Sequence, residues 1–229
     1  MMIEFGKHDR VVIVLSGGID SSVLLYSAIE AGKQVTLFHG YYNKPSSQHE
    51  LAFAKWASQN FRLPLEVVDL SGITSMQVGY VDPVQIASDE ADMKAEELNN
   101  ENAISGFHTL ISAVAYFTQI TRNAAFALGL IAEQAARRPD LRIALDLFEQ
   151  FLQKLNPNAA APSLLSPLLG LAKKDVIKLG AQLSVPFERT WSCSAAIQSS
   201  NHCGVCSQCI ERKQAFIDAG VVDVTTYSV

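Results

Sequence analysis

The chain has 229 residues, of which 48% are hydrophobic and 18% charged, so it can form one large domain, or one domain with a small appendage. Its 18 basic and 23 acidic residues give a net charge of −5 without a basic tract, which argues against nucleic-acid-binding proteins. No apolar run reaches the roughly 18 residues of a membrane span, and residues 1–10 lack a signal-peptide pattern, so we expect a cytoplasmic protein without a nucleic-acid or membrane partner.

Residues 11–22 combine a buried strand, a glycine turn and the start of a helix. Five apolar residues, Val11 to Leu15, predict the strand, and Ser16-Gly17-Gly18 ends it before a helical pattern opens near Asp20. A glycine turn that leads into a helix points backbone N–H groups into one space, where the helix dipole adds about half a positive charge. We therefore predict a phosphate site at this turn.

The side chains of the turn suit the same ligand. Gly17 and Gly18 permit close backbone approach. Hydroxyl groups that can donate to phosphate oxygens belong to Ser16, Ser21 and Ser22. Because a carboxylate would repel bound phosphates, we assign Asp20 to Mg²⁺ or to the helix N-terminus. The alternative is that SGG is only a tight strand-to-helix turn with a serine or aspartate cap.

Strands and helices alternate along the rest of the chain. The patterns predict helices over residues 22–31, 48–60, 106–121, 143–155 and 173–183, and further strands over residues 34–40, 64–70, 124–130 and 164–169. Such units predict a doubly wound parallel α/β sheet, in which the second strand ends beside the first and the backbone near Phe38 contacts adenine. Residues 71–105 break the pattern and form either a substrate-facing lid or insertion, or a solvated loop.

All four cysteines lie close together near the C-terminus, as C-x9-C-x2-C-x2-C at Cys193, Cys203, Cys206 and Cys209. Four thiolates complete a closed tetrahedral site, so we predict a structural zinc ion in a small appendage. An iron–sulfur cluster is the alternative. The prediction divides the chain into an α/β domain over residues 1–185 and a zinc-binding segment over residues 186–229.

The string SGGxDSS resembles the pyrophosphate loop of the N-type ATP pyrophosphatases, and the Walker lysine and GxGxxG patterns are absent. Combined with TWSC at residues 190–193, CGVCSQC at residues 203–209 and Arg212, it resembles the 7-cyano-7-deazaguanine synthase family. The resemblance implies an adenine nucleotide alpha hydrolase-like, Rossmann-like fold with Mg-ATP as cosubstrate. It implies nucleotide contacts at Leu15, Ser16, Gly17, Gly18, Asp20, Ser21, Ser22 and Phe38, and catalytic roles for Asp20, Lys173 and Arg142.

The resemblance also implies a reaction. ATP activates 7-carboxy-7-deazaguanine as an acyl adenylate with release of pyrophosphate, ammonia converts the adenylate to an amide, and a second activation dehydrates the amide to a nitrile. One alternative is a paralogue that conjugates the activated deazaguanine to an amine of a partner protein in antiphage defence. A second is a nucleotide-binding scaffold without turnover. We also consider a homodimer.

Two substitutions relative to the family pattern bear on the substrate. The family's GQRH-like string is replaced by Asn43-Lys44-Pro45-Ser46-Ser47, and its PGRN string by Ser105-Gly106-Phe107-His108. An arginine and an asparagine expected near the substrate are therefore missing. ATP use and fold follow from the resemblance more directly than the identity of the acid or of the nitrogen acceptor.

Overall fold

The computed structural model describes residues 3–74, 107–155, 160–195 and 200–228. The strands in these ranges are β1 (Arg10–Val14), β2 (Gln34–Tyr41), β3 (Leu65–Asp69), β4 (Ala125–Ala127) and β5 (Ser163–Leu165). They form one sheet in the order β3-β2-β1-β4-β5, and every pairing is parallel. The prediction of a doubly wound parallel sheet is therefore confirmed.

Helices connect the strands and cover both faces of the sheet. They are α1 (Ile19–Glu30), α2 (Ser47–Phe61), α3 (Ser71–Thr74), α4 (residues 107–120), α5 (Ala132–Arg137), α6 (Leu141–Leu155), α7 (Lys173–Gln182) and α8 (Ser207–Ala219). A short 3-10 helix at Phe187–Arg189 precedes the first cysteine. Within the described ranges no helix is long and apolar enough to span a bilayer.

The central strand β1 is buried on both faces, which explains its unbroken apolar sequence. Val11 and Ile13 face a core formed with α1, α2, α7 and α8. Val12 and Val14 face a second core formed with α4 and α6. Because β1 lies at the centre of the sheet, the turn that follows it is held by both cores.

The strand order places the glycine turn at the edge where open α/β sheets bind ligands. β2 pairs with one side of β1 and β4 with the other, so the order reverses between β1 and β4. Ligands bind outside the carboxyl ends of the strands at such a reversal. The glycine turn follows β1 at this point, and residues 128–131 follow β4 beside it.

Two predicted strands are shorter in the structure. Strand 124–130 ends at Ala127, because residues 128–131 lead directly into α5, a helix that the sequence pattern did not predict. Strand 164–169 ends at Leu165, because a turn closed by the N–H of Leu169 and the carbonyl of Ser166 follows it. The proposed lid falls largely on residues 75–105, which lie outside the described residues.

The sequence pattern also did not predict helix α8, whose buried face contains a charged residue. The buried positions are Cys209, Arg212, Ala215, Phe216 and Ala219, which have helical spacing. One of these five, Arg212, is charged, so it interrupts the apolar periodicity of the helix. The alanines and Phe216 join the core beneath α1 and α7, which docks the cysteine segment onto the sheet domain.

Candidate active site and metal centre

The glycine turn is shaped by close contact with α2. Gly17 has φ of +81°, and a Cβ atom at this position would lie 2.8 Å from the Cα of Glu50. Any other residue would be strained and would displace the helix backbone. Gly18 is the N-cap of α1, and no described side chain caps this helix. Its first N–H groups are therefore available to an anionic ligand.

The three serines divide into two groups. Ser16 Oγ lies 2.9 Å from Ser21 Oγ, which also accepts the N–H of Ser16 at 3.2 Å. Ser22 Oγ is buried and donates to the carbonyl of Gly18 at 2.7 Å. Ser22 thus stabilises the turn, whereas the exposed Ser16 can exchange one hydrogen bond for a ligand oxygen. Phosphate binding by these side chains stays a prediction.

Two of the predicted catalytic residues meet at the start of α1. Lys173 Nζ donates to both carboxylate oxygens of Asp20 at 2.8 Å, and the two side chains are 27% and 17% exposed. Lys173 is the first residue of α7, and its N–H donates to Glu133 Oε1 at 2.8 Å. The pair holds an ammonium group beside the glycine turn, where it can neutralise phosphate charge.

A second glycine brings the end of β4 against α1. A Cβ atom on Gly129 would lie 2.8 Å from the backbone nitrogen of Ser21 and 3.0 Å from the carbonyl carbon of Asp20. Only a residue without a side chain allows this approach. Gly129 therefore sets the distance between the two segments that border the reversal of strand order.

We expect the substitution Gly129→Ala to lower the free energy of unfolding by about 1–3 kcal/mol, because the added methyl group pushes the first turn of α1 outward. Nucleotide affinity should fall with it, as measured by urea titration and calorimetry with Mg-ATP. The matched control is Gly170→Ala, since a Cβ atom there meets nothing within 4 Å. Equal stability and affinity in the two variants would contradict this role.

Leu15 and Phe38, both predicted to contact nucleotide, are buried at the edge of the sheet where the strands end. The N–H of Leu15 donates to the carbonyl of Phe38 at 2.8 Å, and the Phe38 ring packs 5.5 Å from Phe117. The carbonyl of Leu15 lies 2.8 Å from His39 Nδ1. Burial lowers the pKa of His39, which favours a neutral ring that donates through Nδ1. A nucleotide contact at Leu15 or Phe38 therefore stays a prediction.

The third predicted catalytic residue is separate from this pair. Arg142 is exposed on α6, whose buried face is formed by Leu141 and Leu145. Among the described residues, Arg142 forms no hydrogen bond or ion pair with the glycine turn or with Lys173. Its catalytic role stays a prediction.

The segment that replaces the GQRH-like string forms the N-terminal turn of α2. Lys44 Nζ lies 3.1 Å from Glu50 Oε1, and Ser46 Oγ donates to the same oxygen at 2.8 Å. Asn43 has φ of +55°. Since the backbone of Glu50 also contacts Gly17, this segment supports the glycine turn from outside. Of the string that replaces PGRN, residues 105 and 106 lie outside the described part.

The four cysteines meet at one point, with sulfur atoms within 4.8 Å of one another. Cys203 Sγ lies 3.8 Å from Cys209 Sγ, and Cys206 Sγ lies 3.9 Å from Cys193 Sγ. A tetrahedral site with Zn–S bonds of about 2.3 Å separates its sulfur atoms by about 3.8 Å. A cubane cluster spreads its thiolates further apart. The donor set and spacing therefore fit a single tetrahedral ion.

The backbone around the cysteines supports thiolate ligands. Gly204 has φ of +83°, and the N–H groups of Val205 and Cys206 donate to Cys203 Sγ at 3.4 and 3.2 Å. Burial acts to raise the pKa of Cys206, but hydrogen bonds involving Ser194 and Cys209 lower it to about 6. Burial raises the pKa of Cys209. Full deprotonation of the set therefore requires a bound cation.

Trp191 covers the cysteine cluster. It is 8% exposed and packs with Cys193, Cys203 and Cys209. Its indole Nε1 donates to the carbonyl of Cys193 at 2.8 Å. The tryptophan thereby shields the metal site from solvent on the side of the glycine turn.

Sequence reasoning missed several residues that shape the site. Gly129 and Glu133 act on residues far away in the chain, and His39 binds a carbonyl 24 positions earlier. A glycine just after a short buried strand was the available signal for Gly129. The sequence carries no local signal for Glu133, because its partner lies 40 residues away.

Comparisons with known proteins identify a family to which most of the chain is similar. The family model described as queuosine biosynthesis protein QueC matches residues 10–220. The 7-cyano-7-deazaguanine synthase of Methanosphaerula palustris is 30% identical over 95% of this chain and 99% of its own. That of Methanothrix thermoacetophila is 28% identical over 95% and 98%.

Among solved structures, the U34-tRNA thiolase NcsA from Methanococcus maripaludis with its [4Fe-4S] cluster aligns with a TM-score of 0.48. Its sequence identity is 13%, over 83% of this chain and 61% of that one. The family match covers almost the whole sheet domain and all four cysteines. The chain belongs to the queuosine biosynthesis protein QueC family.

Proposed function

We propose that the protein is an ATP-dependent ligase that adenylates a 7-deazaguanine-type carboxylate, 7-carboxy-7-deazaguanine, and transfers the acyl group to nitrogen. The observation that carries the proposal is the Lys173 ammonium group, held 2.8 Å from both oxygens of Asp20 beside an uncapped helix N-terminus. The homologues named 7-cyano-7-deazaguanine synthase support the substrate class.

The first step joins the carboxylate to the α-phosphorus of ATP. A carboxylate oxygen attacks the α-phosphorus, the bond to the β-phosphate breaks, and pyrophosphate leaves with the excess negative charge. The N–H groups of α1 and the Lys173 ammonium group stabilise that charge. Mg²⁺ that enters with ATP supplies further positive charge, and Asp20 is the residue that would hold it. We also assign nucleotide contacts to Leu15, Ser16, Gly17, Gly18, Asp20, Ser21, Ser22 and Phe38.

The second step uses ammonia as the nitrogen nucleophile. Ammonia attacks the acyl carbon, AMP leaves, and an amide and a proton result. In a second activation the amide oxygen attacks the α-phosphorus of another ATP, with release of pyrophosphate. Loss of AMP and a proton then gives the nitrile. Each nitrile therefore consumes two ATP and one ammonia and yields two AMP and two pyrophosphate.

The test is incubation of the protein with ATP, Mg²⁺, ammonium and 7-carboxy-7-deazaguanine, followed by quantification of AMP, pyrophosphate and product mass. We expect AMP and pyrophosphate in equal amounts and a product with the mass of the nitrile. Release of ADP and phosphate would overturn the proposal. Nucleotide binding without turnover would favour the scaffold alternative, and acid-dependent AMP release without amide or nitrile would indicate another acceptor.

We further propose that the four cysteines hold one structural zinc ion, within a segment formed by residues 186–229 that is distinct from the catalytic domain of residues 1–185. Sulfur separations of 3.8 and 3.9 Å support a mononuclear site. Elemental analysis of the purified protein should find about one zinc per chain and no visible absorption band. Iron with acid-labile sulfide would contradict this assignment.

A further inference from the structure

We propose that Trp191 is a positioning residue that couples the four-cysteine metal centre to the glycine turn, so that metal binding and ATP binding strengthen each other. This inference rests on the proposed function, because it takes the glycine turn as the ATP site. It assigns the metal centre a role beyond the stability of the C-terminal segment.

The first connection is a direct one along the backbone of residues 191–193. The N–H of Trp191 donates to the carbonyl of Gly17 at 2.9 Å. A Cβ atom on Gly18 would lie 3.6 Å from the Trp191 carbonyl oxygen. Two residues later, Cys193 contributes a sulfur to the metal centre. One short extended segment thus touches both sites.

The second connection runs through the indole ring. Its Nε1 donates to the carbonyl of Cys193 at 2.8 Å, and its face stacks on His49 with ring centroids 3.6 Å apart and planes 6° apart. The residue after His49 is Glu50, whose backbone is the surface against which Gly17 packs. The indole therefore links a metal-bound residue to the helix that determines the conformation of the turn.

A second histidine also contacts the Trp191 ring. His202 lies 4.4 Å from the indole centroid, and its Nε2 accepts the N–H of Ser192 at 3.1 Å. His202 directly precedes the ligand Cys203. Both ends of the metal motif consequently hold the indole in place, one through a hydrogen bond and one through ring contact.

The expected direction of the effect follows from chain entropy. A bound ion crosslinks Cys193 to the 203–209 loop, so that Trp191 is held against Gly17 before ATP arrives. Without the ion, ATP binding must order residues 191–193 as well as the triphosphate. The glycine turn keeps its hydrogen bond from Ser16 to Ser21, and α1 keeps its contact with Gly129, so a partial loss of affinity is expected.

The experiment uses the fact that the chain has only two tryptophans, Trp56 and Trp191. In a Trp56→Phe protein, Trp191 fluorescence reports its own surroundings. We expect its emission to change both on removal of zinc with a chelator and on binding of a non-hydrolysable ATP analogue with Mg²⁺. By calorimetry, zinc removal should weaken binding of the analogue about tenfold, and added zinc should restore it.

Linkage makes the coupling testable from the other side. The analogue should raise the affinity for zinc, measured by competition with a chromophoric chelator, by the same factor of about ten. Trp191→Leu should retain zinc when zinc is present in excess, bind the analogue about tenfold more weakly, and lose the dependence on zinc. Trp56→Leu is the matched control and should behave as the unmodified protein, because Trp56 packs on Arg189 rather than on the metal motif.

Two results would overturn the inference while leaving the proposed function intact. One is analogue binding by the original protein that does not change when zinc is removed. The other is full affinity and full zinc dependence in zinc-loaded Trp191→Leu. If the zinc-loaded original protein binds no analogue, both the proposed function and the inference fail.

Discussion

Substitution of Lys173 by methionine is expected to slow pyrophosphate release by at least about 100-fold, because it removes the ammonium group that Asp20 fixes beside the glycine turn. The leaving pyrophosphate then gains charge without this cation to neutralise it. Methionine preserves the length and the apolar part of the side chain. The measurement is the initial rate of pyrophosphate release with saturating ATP, Mg²⁺ and acid.

Lys174→Met is the matched control for this prediction. Lys174 is the next residue of α7 and is exposed, so its loss removes the same charge from the surface without affecting Asp20. We expect its rate to stay within about twofold of the original, and both variants to unfold within about 1 kcal/mol of it. A Lys173→Met protein that releases pyrophosphate as fast as Lys174→Met would show that Lys173 does not take part in the reaction.

The substitution Asp20→Asn tests the role of Asp20 separately from that of Lys173. Asparagine keeps the shape of the side chain but removes the negative charge that holds Lys173 at the turn. If Asp20 serves only to position Lys173, excess Mg²⁺ should not rescue this variant. If Asp20 holds the cation that accompanies ATP, higher Mg²⁺ concentration should recover part of the rate. The Mg²⁺ dependence of pyrophosphate release therefore distinguishes the two roles.

Local patterns in the sequence predict the parts of this site that are continuous in the chain. The strand before the glycine turn is an unbroken apolar run because it is buried on both faces. The CGVCSQC motif by itself indicates a metal site. Alternating units were enough to predict the parallel sheet. In each case the residues that determine the local structure are neighbours in the sequence.

The parts that the sequence pattern missed depend on contacts between distant segments. Lys173 and Asp20 are 153 positions apart, and nothing local in either segment specifies the partner. The close approach of Gly129 to α1 requires knowledge of the strand order. Helix α8 was missed because the charged residue Arg212 occupies its buried face, where hydrophobic periodicity expects an apolar residue.

The segment that departs from the family pattern has a structural role here. Lys44 and Ser46 both bind the Glu50 carboxylate and so fix the first turn of α2, which contacts Gly17. The change from GQRH to this string therefore replaces polar side chains expected near the substrate by side chains that bind within the protein.

Arg212 is the most consequential buried charge in the C-terminal segment. It is 1% exposed, and its guanidinium group donates to three oxygens at 2.8–2.9 Å, those of Thr225 Oγ1, Ser192 Oγ and the Phe187 carbonyl. The Asp223 carboxylate lies 4.0 Å away. One side chain thereby joins α8, the segment before Cys193 and the C-terminal tail.

We expect Arg212→Met to lower the free energy of unfolding by about 3–5 kcal/mol, because it removes the cation beside Asp223 and one hydrogen-bond donor from each of three buried or half-buried oxygens. That loss is a large part of the roughly 5–15 kcal/mol of a typical domain. Arg212→Lys should recover only a fraction of it, since an ammonium group cannot reach three divergent acceptors in the fixed fork of a guanidinium. The measurement is urea unfolding in excess zinc.

Arg137→Met is the matched control, because Arg137 pairs with Glu211 at 3.0 Å but both side chains are more than half exposed. An exposed pair contributes about 0–1 kcal/mol, so this variant should unfold close to the original. Equal stability of Arg212→Met and Arg137→Met would show that the buried guanidinium group is not needed to link the tail to the metal motif. The contrast between two arginines that each have an acidic neighbour tests the combined effect of burial and the three hydrogen bonds of Arg212.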